Sequence, residues 1–429
     1  MTEAFLQYIW HHQMTEGNLL TTDGLPVSVE RPGMHNLDAG PDFTDARIVI
    51  DGVRWVGNVE VHMRASDWNR HGHNGDDAYN NVILHVVYIP DTDIFVDGGR
   101  RLPVLDLSQF IPLQVWNQYE ELMSPREQDV IPCANRIGEI PEFIVQMSQD
   151  RMVVERMQRK SDDVRRLLAE SKGNWEQACY WILARYFGGK TNALPFELLA
   201  KITPLSLIAK IRDNRFRVEA LLYGQAGLLT DDLIDDYAVD LRREYEYLRA
   251  AYKLHPMQPH MWKFFRLYPV SFPTVRISQL AEMLTGTDHI FSRLRSAADV
   301  KELRAIFDLR ASNYWDYHFS FDFPAPHQSK RMGRSYADHL IINAWVPLLC
   351  LYAESHGDDN SREQALSLLQ QLPAEDNVIV RRWKAAGVKP RNAAESQALI
   401  QRYNEYCSRR ECLKCSLAFR LLKPDSKKT

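Results

Sequence analysis

The period of the apolar residues changes once along this chain, and that change constrains the fold more than any single motif. Up to about residue 107 the apolar runs are short, rich in β-branched residues and separated by Gly, Pro and Asp: Leu25–Glu30, Ala46–Ile50, Arg54–His62 and Val82–Ile89. Runs of this kind read as strands. Asp51-Gly52 between the second and third is a two-residue hairpin signal. A further hairpin is expected from Ile94 to about Leu107, around Asp97-Gly98-Gly99. Prolines at 103, 112, 125, 132 and 141 then interrupt the chain. Beyond them the apolar period is 3.6. Glu142–Glu170 carries Met152, Val153, Met157, Leu167 and Leu168 on one side, and Trp175–Phe187 carries Trp175, Cys179, Ile182 and Tyr186. More helices are expected across 195–223, 230–253, 277–284, 298–310, 335–356, 362–372 and 393–421. The fold class is therefore an α/β (α+β) N-terminal domain over 1–132, a sheet with flanking helices, followed by a larger all-helical domain over 133–429. Thr2–Met14, with Phe5, Leu6, Ile9 and Trp10 at helical spacing, supplies a short amphipathic helix ahead of the sheet.

Acids and histidines crowd the strand region. Side chains alternate along a strand, so Glu60 and His62 share one face while Val59 and Val61 face the other. Asp42 follows Gly40-Pro41 just before a strand, and folding the hairpin back brings it beside Glu60. Two carboxylates and an imidazole converging there make a hard-cation site. His71 and His73, in a Gly-bounded loop with Asp67, Asp76, Asp77 and Tyr79, are further ligands or proton donors. His85, inside an apolar strand, reads as a hydrogen-bonded core residue.

Pro41-Asp42 and Glu60-Val61-His62 resemble the core motif of the PD-(D/E)XK nucleases, in which a Pro-Asp leads into one strand and an acid-x-Lys lies on its partner. The resemblance implies a restriction-endonuclease-like sheet and phosphodiester hydrolysis on DNA or RNA. It also implies Mg²⁺ or Mn²⁺ held by Asp42 and Glu60. His62 stands where the lysine belongs, and the first lysine of the chain is Lys160. On this reading His62 orients or deprotonates the attacking water, and His71 or His73 assists the leaving group. Such cores often carry an acid on the first helix; Glu3 is the candidate, with Glu30 as competitor. A second reading is a zinc hydrolase using His62, His71 and His73 with Asp67 or Asp76, since imidazole favours Zn²⁺ over Mg²⁺. A third is a catalytically silent scaffold that binds nucleic acid or protein, which the lysine-free N-terminal region favours.

Charge divides as the apolar pattern does. The formal net charge of −4 is the sum of −12 through residue 130 and +8 beyond it, and seven of the 14 histidines lie in the acidic part. This suits a metal-bearing head, and equally a simple partition of charge between domains. No apolar stretch approaches the ~18 residues of a membrane span, so no membrane association is expected. The N-terminus lacks the pattern of a signal peptide, and the six cysteines do not form a disulfide framework, so a cytoplasmic location is expected.

Cys407-x4-Cys412-x2-Cys415 has a spacing used by zinc and iron–sulfur sites, and Cys133 is the distant candidate for a fourth ligand. On an unbroken helix the three would lie at about 0°, 140° and 80° and converge poorly. Residues 401–429 carry net +5 and read as a solvated tail. Gly188-Gly189-Lys190-Thr191 lacks the strand and the leading glycine of a phosphate loop, so a helix end is expected there and no nucleotide cofactor. Arg266 to Arg276, with Pro269 and Pro273, reads as an extended linker.

Gly40-Pro-Asp-Phe, Gly57-Asn-Val-Glu-Val-His, Ser66-Asp-Trp, His71-Gly-His, Leu84-His-Val-Val-Tyr, the Pro269–Arg276 segment and the Cys407/Cys412/Cys415 group together resemble an uncharacterised bacterial family of unknown function over nearly the whole chain. That resemblance implies no activity, so the functional expectation rests on the residues themselves.

Overall fold

The computed structural model describes residues 1–96, 99–124, 130–286 and 289–423. They form two compact units. The first comprises Met1–Ser148, Arg382–Val388 and Arg402–Thr429; the second comprises Gln149–Arg381 and Lys389–Gln401. The sheet-bearing unit thus takes in more than 1–132, because two segments from late in the chain belong to it.

The first unit holds a mixed sheet with flanking helices. Its strands are β1 (Val27–Arg31), β2 (Met34–His35), β3 (Phe43–Ile50), β4 (Val53–Arg64) and β5 (Val82–Ile89), then β6 (Phe95–Val96), β7 (Arg100–Arg101) and β8 (Val104–Asp106). The main sheet runs β1-β3-β4-β5-β8, with β2 paired to β3. β1, β3 and β4 form an antiparallel meander, while β5 lies parallel to β4 and β8 parallel to β5. The β3–β4 turn is the expected one: Ile50 pairs with Val53, and Asp51 and Gly52 take φ of 50° and 77°. Such positive φ values define the hairpin turn whose twist matches the strands.

A one-residue bulge interrupts β3 between Phe43 and Ala46, where Asp45 is left-handed at φ 56°. Bulges of this kind re-aim the strand end next to a site. At Gly57 the crossover into β5 approaches so closely that a Cβ would lie 2.5 Å from the Asn81 carbonyl oxygen. Residues 82–87 of β5 are all buried, as a strand covered on both faces requires.

One sequence expectation changes here. Ile94–Leu107 is not a single hairpin: only the two-residue β6 and β7 pair with each other, and Val104–Asp106 joins the main sheet beside β5. Parallel pairing to a distant strand has no local turn signature. Asp97 and Gly98 of the expected turn lie outside the described residues, as do Pro125 and residues 424–429.

Four helices place the rest. α1 (Glu3–His12) buries Phe5, Leu6, Ile9 and Trp10 and lies against β4, and the Thr2 hydroxyl caps it by accepting from the Phe5 amide at 3.3 Å. α2 (Asp67–Arg70) follows β4 directly; α3 (Leu113–Met123) stacks Tyr119 on Phe5 at 3.8 Å between ring centroids. α4 (Glu142–Glu170) has the expected bounds.

The second unit is mainly helical, as its period predicts, but not wholly so: His318–Ser320 and Phe323–Pro324 pair as a short antiparallel ribbon. The expected 195–223 helix is three, Ala193–Ile202, Leu205–Ile208 and Arg215–Gln225, because Pro204 stops the first and Asn214 caps the third. Gly188 ends Trp175–Phe187, which makes the Gly188–Thr191 segment a helix end. Arg276 is not in a linker; it sits buried in helix Pro273–Thr285, stacked 3.4 Å from the Tyr336 ring centroid.

The C-terminal segment also departs from expectation. The 393–421 region is a helix only to Arg402; a π turn follows over Tyr403–Cys407, Arg410 is left-handed at φ 56°, and Ser416–Leu422 is a separate helix. Leu417, Leu421 and Leu422 are buried, so 402–423 is packed into the sheet-bearing unit and is no solvated tail. Among the described residues no helix is long and apolar enough to cross a membrane.

Candidate metal centre

The site is built on the polar face of β4. Val59 and Val61 point into the core with no exposure, which leaves Glu60 and His62 on the opposite face, buried beneath the segment that follows the strand. Asp67 at the start of α2 accepts from the Arg64 amide at 3.1 Å and pairs with Arg70 at 2.8 Å, so the chain turns sharply after β4. Gly72, left-handed at φ 75°, reverses the chain again and brings His73 back over the sheet. His73 stacks on Tyr79 at 3.8 Å and meets Trp68 edge-on at 5.2 Å; the Trp68 indole donates to Asn74 Oδ1 at 2.7 Å. Trp68, Val82, Ile94, Val96 and Leu102 form the apolar cluster beneath this loop.

Four side chains therefore converge. His62 Nε2 lies 3.3 Å from Glu60 Oε1, 3.2 Å from His71 Nδ1 and 3.4 Å from His73 Nε2. His73 Nε2 lies 3.5 Å from Glu60 Oε1. The ligand atoms of His62, His71 and His73 also all lie within 4.8 Å of one another. Behind His62, its Nδ1 meets His85 Nε2 at 2.9 Å, and His85 Nδ1 is buried without a partner.

Asp42 sits behind Glu60. Its amide donates to Glu60 Oε2 at 3.0 Å, its Oδ2 accepts from the Val61 amide at 3.0 Å, and its Oδ1 accepts from Gln7 Nε2 at 3.0 Å. Asn36 holds the loop that presents it: the Asn36 amide donates to the Asp42 carbonyl at 2.7 Å, and Nδ2 donates to the Pro41 carbonyl at 3.1 Å. Glu3 lies one turn before Gln7 on α1, with the Met63 backbone amide beside it.

The charge states follow from burial. Glu60 is pushed up to about 8 by desolvation and by the neighbouring Asp42 carboxylate. Burial raises Asp42 as well, against the lowering effect of its bonds from Val61 and Gln7, and Glu3 is raised by burial and by the Asp42 carboxylate. His62 is lowered to about 4, first by burial and then by His73 and His71; His73 is lowered by burial and His71. Tyr79 is raised to about 12 by burial and by Glu60. The histidines held neutral keep their ring-nitrogen lone pairs free to ligate, and a bound cation would favour the ionised form of Glu60.

All five residues expected at the site, Asp42, Glu60, His62, His71 and His73, fall in this cluster. The donors that face one another are Glu60 and the three histidines, whereas Asp42 braces Glu60. For the zinc reading the fourth group is Glu60 rather than Asp67 or Asp76: Asp67 is engaged by Arg64 and Arg70, and Asp76 caps the turn at Ala78. Glu3 lies within electrostatic range of Asp42 and His71, whereas Glu30 pairs with Arg54 at 2.7 Å at the surface. His85 is the hydrogen-bonded core residue expected, and its partner is His62. Its signal in the sequence is its register, opposite Glu60 on the parallel strand.

The chain belongs to a family described as a protein of unknown function, DUF2851, which matches residues 3–378. Cys407, Cys412 and Cys415 lie beyond the matched span. No curated protein and no solved structure matches the chain.

Proposed function

We propose that this member of the DUF2851 family is a divalent-metal-dependent hydrolase, with Glu60, His62, His71 and His73 as metal ligands and phosphodiesters as the substrate class. The observation that supports it is the spacing of the donors. Glu60 Oε1, His62 Nε2 and His73 Nε2 stand 3.3–3.5 Å apart. Ligands about 2.0–2.1 Å from a tetrahedral ion would stand roughly 3.4 Å apart. Three imidazoles and a carboxylate favour Zn²⁺, with Mn²⁺ as a poorer fit and Mg²⁺ poorer still.

A bound ion would supply Lewis acidity. The chain's own residues do the rest. His85 holds the His62 ring, Tyr79 and Trp68 hold that of His73, and the Asp42 amide holds Glu60. His71 is exposed, so the centre opens to solvent on that side. Glu3, half-buried and coupled to His71, is the carboxyl placed to accept a proton there. The phosphodiester assignment draws on the resemblance of Pro41-Asp42 and Glu60-Val61-His62 to the PD-(D/E)XK motif, with Asp42 leading into β3 and Glu60 on the paired β4; it departs from that motif in making Asp42 a brace and not a ligand.

Calorimetric titration of metal-free protein with Zn²⁺, Mn²⁺ and Mg²⁺ tests the centre. Turnover of bis(p-nitrophenyl) phosphate and of DNA and RNA oligonucleotides tests the activity. One Zn²⁺ per chain, lost in His71→Ala and His73→Ala together with turnover, is the expected result. Zinc binding without turnover would leave a structural ion, and absence of binding would end the reading.

A further inference from the structure

The fold assembles a second group of metal-ligating side chains that the candidate centre does not use. Cys133, Cys407, Cys412 and Cys415 all line one small pocket of the sheet-bearing unit, together with Leu122, Pro132, Arg402, Tyr406 and Ala418. All four thiols are buried and free. They come from positions 274 or more residues apart in sequence, Cys133 on one side and the C-terminal three on the other. The helix break after Arg402 makes this convergence geometrically feasible. The π turn ends at Cys407, Arg410 is left-handed, and the Cys415 amide closes a turn onto the Cys412 carbonyl at 3.0 Å. The poor angular spread of an unbroken helix is thereby removed.

Arg402 provides an independent indication. Arg402 is 2% exposed, and its Nη1 donates to Cys415 Sγ at 3.2 Å while Nη2 donates to the Ser148 carbonyl and hydroxyl at 3.0 and 2.9 Å. Among the described residues no carboxylate pairs with it. A buried guanidinium is always charged and needs a compensating negative charge. Neutral thiols supply none, whereas thiolates bound to a metal centre do.

We infer that Cys133, Cys407, Cys412 and Cys415 hold a thiolate-ligated metal centre, a zinc ion or an iron–sulfur cluster, with Arg402 offsetting its net negative charge. Each thiol loses its proton as its sulfur binds the metal. The centre ties the C-terminal segment to the segment preceding α4 and is independent of the histidine centre.

The test uses the full chain purified without oxygen, and the same protein reconstituted with Zn²⁺ or with ferrous iron and sulfide under reducing conditions. Metal that wild type, Cys350→Ser and His62→Ala retain and that Cys412→Ser and Cys415→Ser each lose is the expected result, with circular dichroism reporting the fold of each. One zinc per chain lost in this pattern assigns a four-thiolate zinc site, and about four iron with four sulfide and visible absorption that dithionite bleaches assign a cluster. Wild-type protein that keeps six titratable thiols and takes up neither metal would overturn the centre, whatever the variants do.

Discussion

His62 and His85 share a bond of 2.9 Å between Nδ1 and Nε2, fully within the core of the sheet-bearing unit. When His62 Nδ1–H is the donor, its Nε2 lone pair faces Glu60, His71 and His73. His85 thus selects the tautomer that can ligate, the role that partners beyond the metal ligands commonly play. Replacing His85 by Phe leaves every ligand in place but removes this acceptor. Zn²⁺ affinity, measured calorimetrically, should fall by about 10–100-fold.

Glu60 makes metal binding pH-dependent. Its carboxyl is raised to about 8 in the metal-free protein, so below that pH a proton competes with the ion. Affinity for Zn²⁺ should rise with pH up to about 8 and then level. In Glu60→Gln it should be weaker throughout and should lose the part of the slope due to this group.

The same group affects folding with a definite sign. The folded state binds the Glu60 proton more tightly than the unfolded state, whose value is near 4.5. The associated stability is fully present below 4.5 and is lost as pH rises towards 8. The buried histidines, held below their ordinary values, act in the opposite sense, so the Glu60 contribution is read as a difference: the Tm of metal-free wild type relative to that of Glu60→Gln should fall across that window.

Trp68 carries the packing beneath the histidine loop. It is fully buried against Val82, Ile94 and Leu102, and its indole N–H is bonded to Asn74. Trp68→Ala should cost about 3–5 kcal/mol in urea unfolding. Because His73 leans on the same ring, Zn²⁺ affinity should fall as well.

Asp42 is a positioning residue. Asp42→Ala removes the acceptor of the Val61 amide and of Gln7, so a destabilisation of about 1–3 kcal/mol is expected in the same unfolding assay. Zn²⁺ binding should weaken less than in His71→Ala. A complete loss would instead make Asp42 a ligand.

Much of this protein was legible without coordinates because it depends on neighbours in sequence. The Asp51-Gly52 turn sets the β3–β4 register, two-residue alternation puts Glu60 and His62 on one face, and the 3.6 period delimits Glu142–Glu170. Each follows from local backbone sterics and side-chain direction. What the tertiary structure alone decided depends on segments distant in sequence. Val104–Asp106 pairs beside β5, the Asp42 oxygens are taken up by the Val61 amide and Gln7 so that it braces Glu60, and His85 seats behind His62. Cys133 meets the three C-terminal cysteines because residues 402–423 pack back into the first unit. These contacts follow from burial of apolar surface summed over whole segments, which is non-directional and has no local spacing by which to read it.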